Sequence, residues 1–278
     1  MADDEPLGGE PDAALPPLDG ELALALEVAD AADALTLPRF DERDFTLEAK
    51  RDATEVTEVD RSTEALIVER LVGARPGHAV FGEEHGDAGA RGSAWRWVID
   101  PIDGTSGYVR GIPVWATLLA LEHEGTPVLG VVSAPALGRR WWGGRGLGAH
   151  VSVRGGPARP VRVSGVDELA EAQVSVTHSP GWDELGLTDR LVALQRSARR
   201  SRGLGDFWQH VLVAEGAVDV AVDAVGVAPY DLAALAPIVE AAGGRFTDRL
   251  GEATHRHDTA VSSNGVLHDR VIELLAAR

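Results

Sequence analysis

Residues 97–113, WVIDPIDGTSGYVRGIP, set two carboxylates, Asp100 and Asp103, three positions apart at the end of an apolar stretch. A Gly-Thr-Ser turn follows at once, so negative charge sits beside free backbone N–H groups and hydroxyls. One side of the motif attracts cations and the other anions. Further carboxylates fall at comparable places: Asp60 after VTEV, Glu83 and Glu84 after VFG, and Asp231 after APY. Each lies where a regular element is expected to meet a loop, the edge at which α/β sheets assemble ligand sites. Taken singly, each has an ordinary explanation. DPIDG is an Asp-Pro turn, GEE a solvated acidic loop, and Asp60 and Asp231 are helix N-caps. Independent turns and caps have little reason to produce VTEVD, GEE, DPIDGT and PYDLAA in that order, however. An all-oxygen set in a chain without cysteine suits a hard cation such as Mg²⁺.

Such groups need elements to hold them. A chain of 278 residues, 44% of them hydrophobic, can bury a core large enough for one big α/β unit or two adjoining sub-domains. Twenty-six basic residues against 44 acidic ones leave a net charge of -18, which excludes a polyanion-binding surface and makes nucleic acid an unsuitable partner. The absence of cysteine removes disulfides and thiolate metal sites. Residues 1–20 are acidic and rich in Gly and Pro, without the marks of a signal peptide, and read as a mobile tail. The run from Leu22 to Leu37 is interrupted by Glu27, Asp30 and Asp33, so it reads as an amphipathic helix rather than a membrane span. The expected setting is cytoplasmic.

The rest divides near residue 165. In the first half, 21–165, a helix from Asp60 is expected to bury Ala65, Leu66, Val68, Leu71 and Val72 and to stop at ARPG. HAVFGEEHG and WRWVID read as strands. VWATLLALEHEGTPVLGVVSAP reads as two long strands about a Gly125-Thr126-Pro127 turn, and RRWWGG as another, which makes an antiparallel half. In the second half, 166–278, strands at VSVTHS, SRGLG, AVDVAVD, RFTD and TAVSSN alternate with helices from Trp182, Asp206, Asp231 and Leu267. There is no internal repeat.

The ordered motifs resemble the inositol monophosphatase family of metal-dependent phosphatases, over nearly the whole chain from about residue 20. RGIPVWATLLAL, GVVSAPALGRRWWGGRG, GDFWQHVLVAEGAVD and DLAALAPIVEAAGGRFT resemble the histidinol-phosphate phosphatase branch found in high-GC bacteria. The resemblance implies an α/β (α+β) fold, a layered α-β-α-β-α sandwich of the inositol monophosphatase and sugar phosphatase type. It also implies two or three Mg²⁺ ions per active site and a homodimer. Glu83, Asp100 and the carbonyl of Ile102 match the first metal site, and Asp100, Asp103 and Asp231 the second. Thr105 and Asp60 match the pair that orients and deprotonates the attacking water, with Glu83 beside them. Gly104, Thr105 and Ser106 match the phosphate-binding turn. Two metals then stabilise the attacking and leaving oxygens of an in-line displacement.

Lys50 matches a lysine ahead of the Asp60 motif and reads as a surface charge or loop anchor, while Glu84 is expected behind the metal ligands. Two features depart from the family pattern. Gly107 loosens the turn after the phosphate loop by about 1 kcal/mol relative to Ala. The segment DAVGVAPYD is one residue longer than in many relatives, which matches Asp223 only loosely to the carboxylate lining the substrate pocket. Asp206, in GDFW, reads both as a helix N-cap and as a contact for the substrate's organic end, with Trp208 or Trp115 as the aromatic neighbour. Trp95, Trp97, Trp141 and Trp142 fall at strand spacing and read as core or interface packing, and RRWWGG as aromatic dimer surface. The nine histidines show no paired ligand spacing; His255 and His257 read as solvated, and His85 matches no ligand. The expected activity is hydrolysis of L-histidinol phosphate to histidinol and phosphate. The alternatives are a broad inositol-1-phosphate or sugar-phosphate phosphatase, and a non-catalytic acidic cation-binding protein on the same fold.

Overall fold

A computed structural model describes residues 15–49 and 55–276. Lys50 and residues 1–14 of the expected tail lie outside that range. The chain opens with helix α1 (Asp19–Glu42), which takes in the last two residues assigned to the tail and runs five beyond Leu37. A small hairpin of β1 (Leu47–Ala49) and β2 (Glu55–Thr57) leads into helix α2 (Glu58–Ala74). Strands β3 (Ala79–Gly82), β4 (Gly86–Gly89) and β5 (Trp95–Asp103) follow, and β5 ends at the short helix α3 (Thr105–Arg110). Then come β6 (Ala116–His123), β7 (Thr126–Ala134), β8 (Arg139–Gly144), β9 (Gly148–Val153) and β10 (Arg159–Pro160).

These strands make an eight-stranded sheet in the order β10-β9-β8-β7-β6-β5-β3-β4. It is mixed rather than wholly antiparallel, because β3 runs parallel to β5. Helix α2 is the crossover that a parallel pair would need only if it lay between those two strands; here α2 precedes both, and β4 makes the return. Both faces of the sheet are covered, so β6 reads as an unbroken apolar run. Leu118 and Ala120 point into one core with Trp141 and Phe207, while Leu119 and Leu121 point into another with Ala25, Val28, Ile67 and Leu71.

The second half starts with β11 (Gln173–Val176), α4 (Pro180–Glu184), α5 (Thr188–Ser197) and β12 (Arg200–Arg202). It continues through α6 (Asp206–Ala214), β13 (Val220–Val222), α7 (Pro229–Leu232) and α8 (Leu235–Ala241). It ends with β14 (Arg245–Thr247), β15 (Val261–Ser263) and α9 (His268–Ala276). The helices expected from Trp182 and from Asp231 are each split in two. The five strands order as β12-β11-β13-β15-β14. Helices α1 and α2 cover one face of the large sheet, α6 and α8 lie between the sheets, and α5 and α9 pack on the far side of the small one. The result is the five-layer α-β-α-β-α sandwich.

The packing departs from expectation in two places. The buried stripe of α2 is Asp60, Thr63, Glu64, Ile67 and Leu71; of the residues expected there, Leu71 is buried, Val68 and Val72 are half-buried against the core, Leu66 is half-buried and Ala65 is exposed. The sheet therefore meets a face carrying two carboxylates. The tryptophans of RRWWGG do not form an exposed aromatic surface: Trp141 is buried with its Nε1 donating to Glu215 at 2.7 Å, and Trp142 is half-buried with His150 stacked on it. No helix among the described residues is long and apolar enough to cross a membrane.

Candidate active site

The site forms where β5 ends. Asp100 pairs with Leu118 of β6 and Asp103 with Ala116, so β5 advances three residues while its partner advances two. This is a β-bulge, and the extra residue turns onto one side two carboxylates that strict alternation would send to opposite faces. The Thr117 hydroxyl holds the bulge by donating to the Pro101 carbonyl at 2.9 Å. Asp231 arrives from α7, and oxygens of Asp100, Asp103 and Asp231 all lie within 4.8 Å of one another.

Two backbone amides reach this cluster, that of Phe207 at Asp103 and that of Ala228 at Asp231, and neither reaches Asp100. Asp100 is 2% exposed, and its Oδ1 has no hydrogen-bond partner. Burial raises its pKa well above the usual carboxylate range, and Glu83, Asp103 and Asp231 add to the rise. Burial likewise raises Asp103, with Asp206 the strongest neighbouring charge, and pushes Asp231 up to about 6. Leaving a buried acceptor unpaired costs about 1–3 kcal/mol, more when charged. A divalent cation removes that cost and the mutual repulsion together, and carboxylate oxygens are the donors Mg²⁺ takes. The acidic cluster therefore fits a metal ion. The Ile102 carbonyl is beside it, 2.9 Å from the Thr105 hydroxyl.

Helix α2 brings the next two groups. Thr57, not Asp60, is its N-cap: the Thr57 hydroxyl accepts from the Val59 and Asp60 amides, and Asp60 returns a bond to the Thr57 amide at 2.8 Å. This capping box occupies Asp60 Oδ2 and leaves Oδ1 to accept from the Thr105 hydroxyl at 3.1 Å. Asp60 is buried, and burial, followed among the charges by Glu84, raises its pKa. One turn on, Glu64 is fully buried. Its Oε2 accepts from the Glu84 amide at 2.8 Å and its Oε1 from the His85 amide at 2.7 Å, with His85 Nδ1 at 3.1 Å. Glu64 thus ties down the loop that carries Glu83, the charge acting most strongly on Asp100. A Cβ on Gly82 would come within 2.3 Å of the Glu64 carboxyl, which explains the glycine of GEE.

After the bulge, Gly104 takes φ +82° and caps α3, whose first amides have no acceptor inside the helix. Thr105 is half-buried, whereas Ser106 is exposed and its hydroxyl is engaged by Arg110. Gly107 has a packing reason, since a Cβ there would stand 3.1 Å from the Val114 carbonyl.

Helix α6 and the end of β13 adjoin the cluster. Asp206 is not an N-cap; Gly205 holds that position, and its neighbour's amide, that of Phe207, donates to Asp103 at 2.8 Å. Asp206 has φ +46°, a conformation non-glycine residues rarely hold and one found at binding sites. Asp206 is exposed as a residue, but desolvation of its carboxyl pushes its pKa up to about 6, helped by Asp223 and opposed by His210. Asp223 accepts from the Ala224 amide at 2.8 Å and lies 3.0 Å from His210 Nε2. Asp231 is likewise not an N-cap: it is the third residue of its turn and accepts from the Ala228 amide at 2.7 Å. Trp208 is half-buried against the central core. Trp115 is wholly buried, clustered with Val59, Ile102 and Tyr108.

Sequence reasoning overlooked Glu64 and His210. Both carried a signal: Asp60, Glu64, Ile67 and Leu71 share one helical stripe, as do Phe207, His210, Val211 and Ala214, so each polar residue sits on a face the apolar ones bury. His255 was expected to be solvated but is buried, with Nε2 2.6 Å from Glu122.

The sequence profile described as "Inositol monophosphatase family" matches residues 19–278. A histidinol-phosphatase of Mycobacterium tuberculosis is 46% identical, over 92% of this chain and 98% of its own length. One from Streptomyces coelicolor is also 46% identical, over 93% of this chain and 97% of that one. Among solved structures, the extragenic suppressor protein SuhB of Bartonella henselae superposes with a TM-score of 0.84 at 25% identity, over 93% of this chain and 99% of that one.

Proposed function

The chain belongs to the inositol monophosphatase family, and from that premise we propose that it is a Mg²⁺-dependent phosphomonoesterase hydrolysing L-histidinol phosphate to L-histidinol and phosphate. The observation that carries the metal-dependent reading is the trio of buried Asp100 and Asp103 with half-buried Asp231, Asp100 Oδ1 being left without a donor. The relatives named histidinol-phosphatase support the substrate, as does the Asp206–Asp223 pair, which suits the ammonium that inositol phosphate lacks.

Glu83, Asp100, the Ile102 carbonyl, Asp103 and Asp231 would hold the cations. When bound, these ions neutralise the phosphate and acidify a water. The amides of Gly104, Thr105 and Ser106 bind phosphate oxygens at the start of α3. The Thr105 hydroxyl has one proton and two acceptors, Asp60 Oδ1 and the Ile102 carbonyl. With its O–H directed at Asp60 Oδ1, the Thr105 oxygen accepts a hydrogen bond from the water, so the pair orients the nucleophile; as the water attacks, its proton passes to Thr105 while the Thr105 proton passes to the Asp60 carboxylate. The capping box keeps Asp60 from turning away. A non-catalytic cation-binding protein would have no use for this hydroxyl–carboxylate pair beside the cluster.

The same reading includes a homodimer, supported by the family resemblance rather than by RRWWGG. Light scattering at micromolar concentration tests it, a monomer mass being the contrary result. For the substrate, purified protein with Mg²⁺ is assayed against L-histidinol phosphate and inositol-1-phosphate side by side. Higher kcat/KM on histidinol phosphate is expected. A preference for inositol-1-phosphate would transfer the assignment to the broad phosphatase.

A further inference from the structure

Beside the end of β13 lies a polar chain that the reaction does not use. His210, on α6, is fully buried, with Nε2 3.0 Å from Asp223 Oδ2 and Nδ1 against the Ser262 hydroxyl of β15. Phe246 packs on the ring with centroids 5.8 Å apart. The order serine, histidine, aspartate is that of a nucleophilic triad, but Ser262 is fully buried and no substrate reaches it. What the chain does is fix a carboxylate. Nε2 faces the Asp223 carboxylate, which can only accept, so Nε2 carries a proton and donates it there; Nδ1 of that tautomer accepts from the Ser262 hydroxyl, which fixes the ring from its far side. The Ala224 amide holds the other Asp223 oxygen at 2.8 Å. Asp223 is therefore clamped at both oxygens, next to Asp206, which stands one helical turn before His210 on the same face of α6.

We propose that His210 is a specificity-determining positioning residue: through Asp223 it holds two carboxylates side by side at the organic end of the pocket, selecting phosphate monoesters whose alcohol carries an ammonium. This rests on the histidinol phosphate reading and adds to it the residue that sets the preference. An ammonium close to the phosphate ester oxygen meets both carboxylates. A neutral alcohol gains much less from that charge. Loss of the Nε2–H donor frees Asp223 Oδ2 to turn away and leaves Asp206 alone.

The test compares kcat/KM for L-histidinol phosphate with kcat/KM for phenyl phosphate, which has no cation. In His210→Leu the ratio is expected to fall about ten- to hundredfold, the range for losing a hydrogen bond to a charged group. The loss should appear in KM more than in kcat. His210→Gln, which can still donate toward Asp223, should recover most of the ratio. Should the leucine variant not fold, Ser262→Ala removes only the ring-fixing donor, and its ratio must also fall. An unchanged ratio, or equal losses on both substrates, overturns the role of His210. A parent enzyme without a preference for histidinol phosphate overturns the substrate reading beneath it, a result visible before any variant is made.

Discussion

Two acidic clusters in this protein have the composition of a metal site, and they differ in how their oxygens are used. Asp248, Glu252 and His257 lie together in the loop after β14, as close to one another as Asp100, Asp103 and Asp231 are. Asp248 is already satisfied: Oδ1 accepts from the Leu250 and Glu252 amides at 2.8 Å each, and Oδ2 lies 2.9 Å from His257 Nδ1. His257 is exposed, and its bond to Asp248 raises its pKa. In the trio at the end of β5, Asp103 and Asp231 each accept one backbone amide, and Asp100 Oδ1 accepts nothing. A cluster of carboxylates is a good cation site when the fold withholds other donors, and a loop brace when it supplies them.

The largest effect expected is at Asp103. Asp103→Asn keeps an acceptor for the Phe207 amide and removes one charge from the trio, so phosphatase activity at saturating Mg²⁺ should drop by more than roughly a hundredfold with folding retained. Activity within a few-fold of the parent would erase the distinction between the clusters. Next is Glu64, which touches the cluster only through the Glu83 loop. Replacing it with Gln sets an NH₂ against one of two amides it now receives, and the Mg²⁺ concentration for half-maximal activity should rise about ten- to hundredfold, as for other residues that orient metal ligands. Calorimetric titration of Mg²⁺ into the variant gives the same answer without turnover, and an unshifted affinity would reduce Glu64 to a packing residue.

Linkage gives a smaller effect of definite sign. Asp231 titrates at about 6 in the fold, against roughly 3.9 for a free aspartate. Between those values the folded protein keeps a proton that the unfolded chain has released, so stability falls as pH rises through that window, and the penalty is complete above it. In chelator at pH 7, Asp231→Asn should melt above the parent; near pH 4 the gap should close. Equal melting temperatures at pH 7 would mean the carboxylate is not strained by burial. The smallest effect on catalysis belongs to the second cluster. Asp248→Ala should lose about 1–3 kcal/mol of stability for its stranded amides, while kcat and the Mg²⁺ dependence stay put. A shifted Mg²⁺ dependence would make that loop a second ion site.

Much of this was legible in the sequence, and what was not has physical causes. The five-layer arrangement could be expected only through the family resemblance of the ordered motifs, whereas strand patterning marked the individual strands, LLAL in β6 above all. The carboxylates could be read because each stands at an element's end. Their local roles could not. Asp60, Asp206 and Asp231 each sit one to three positions inside the helix they were expected to cap. An aspartate near a helix start has the same spelling whether it receives the first free amide or turns its carboxyl elsewhere. Trp115, expected beside the substrate, is wholly buried: a tryptophan beside a glycine-rich turn packs equally well on either side of it, and here it fills a core with Val59, Ile102 and Tyr108. Glu64 and His210 were hidden by an assumption that buried stripes are apolar. Their partners, the Glu84 and His85 amides and Asp223, come from 13 to 21 residues away.

The comparison of the two clusters is tested most directly by anomalous scattering from crystals grown with Mn²⁺, which takes the same oxygen ligands as Mg²⁺. Anomalous peaks are expected among Glu83, Asp100, Asp103 and Asp231, with none at Asp248, Glu252 and His257. Peaks at the second cluster and none at the first would contradict the account.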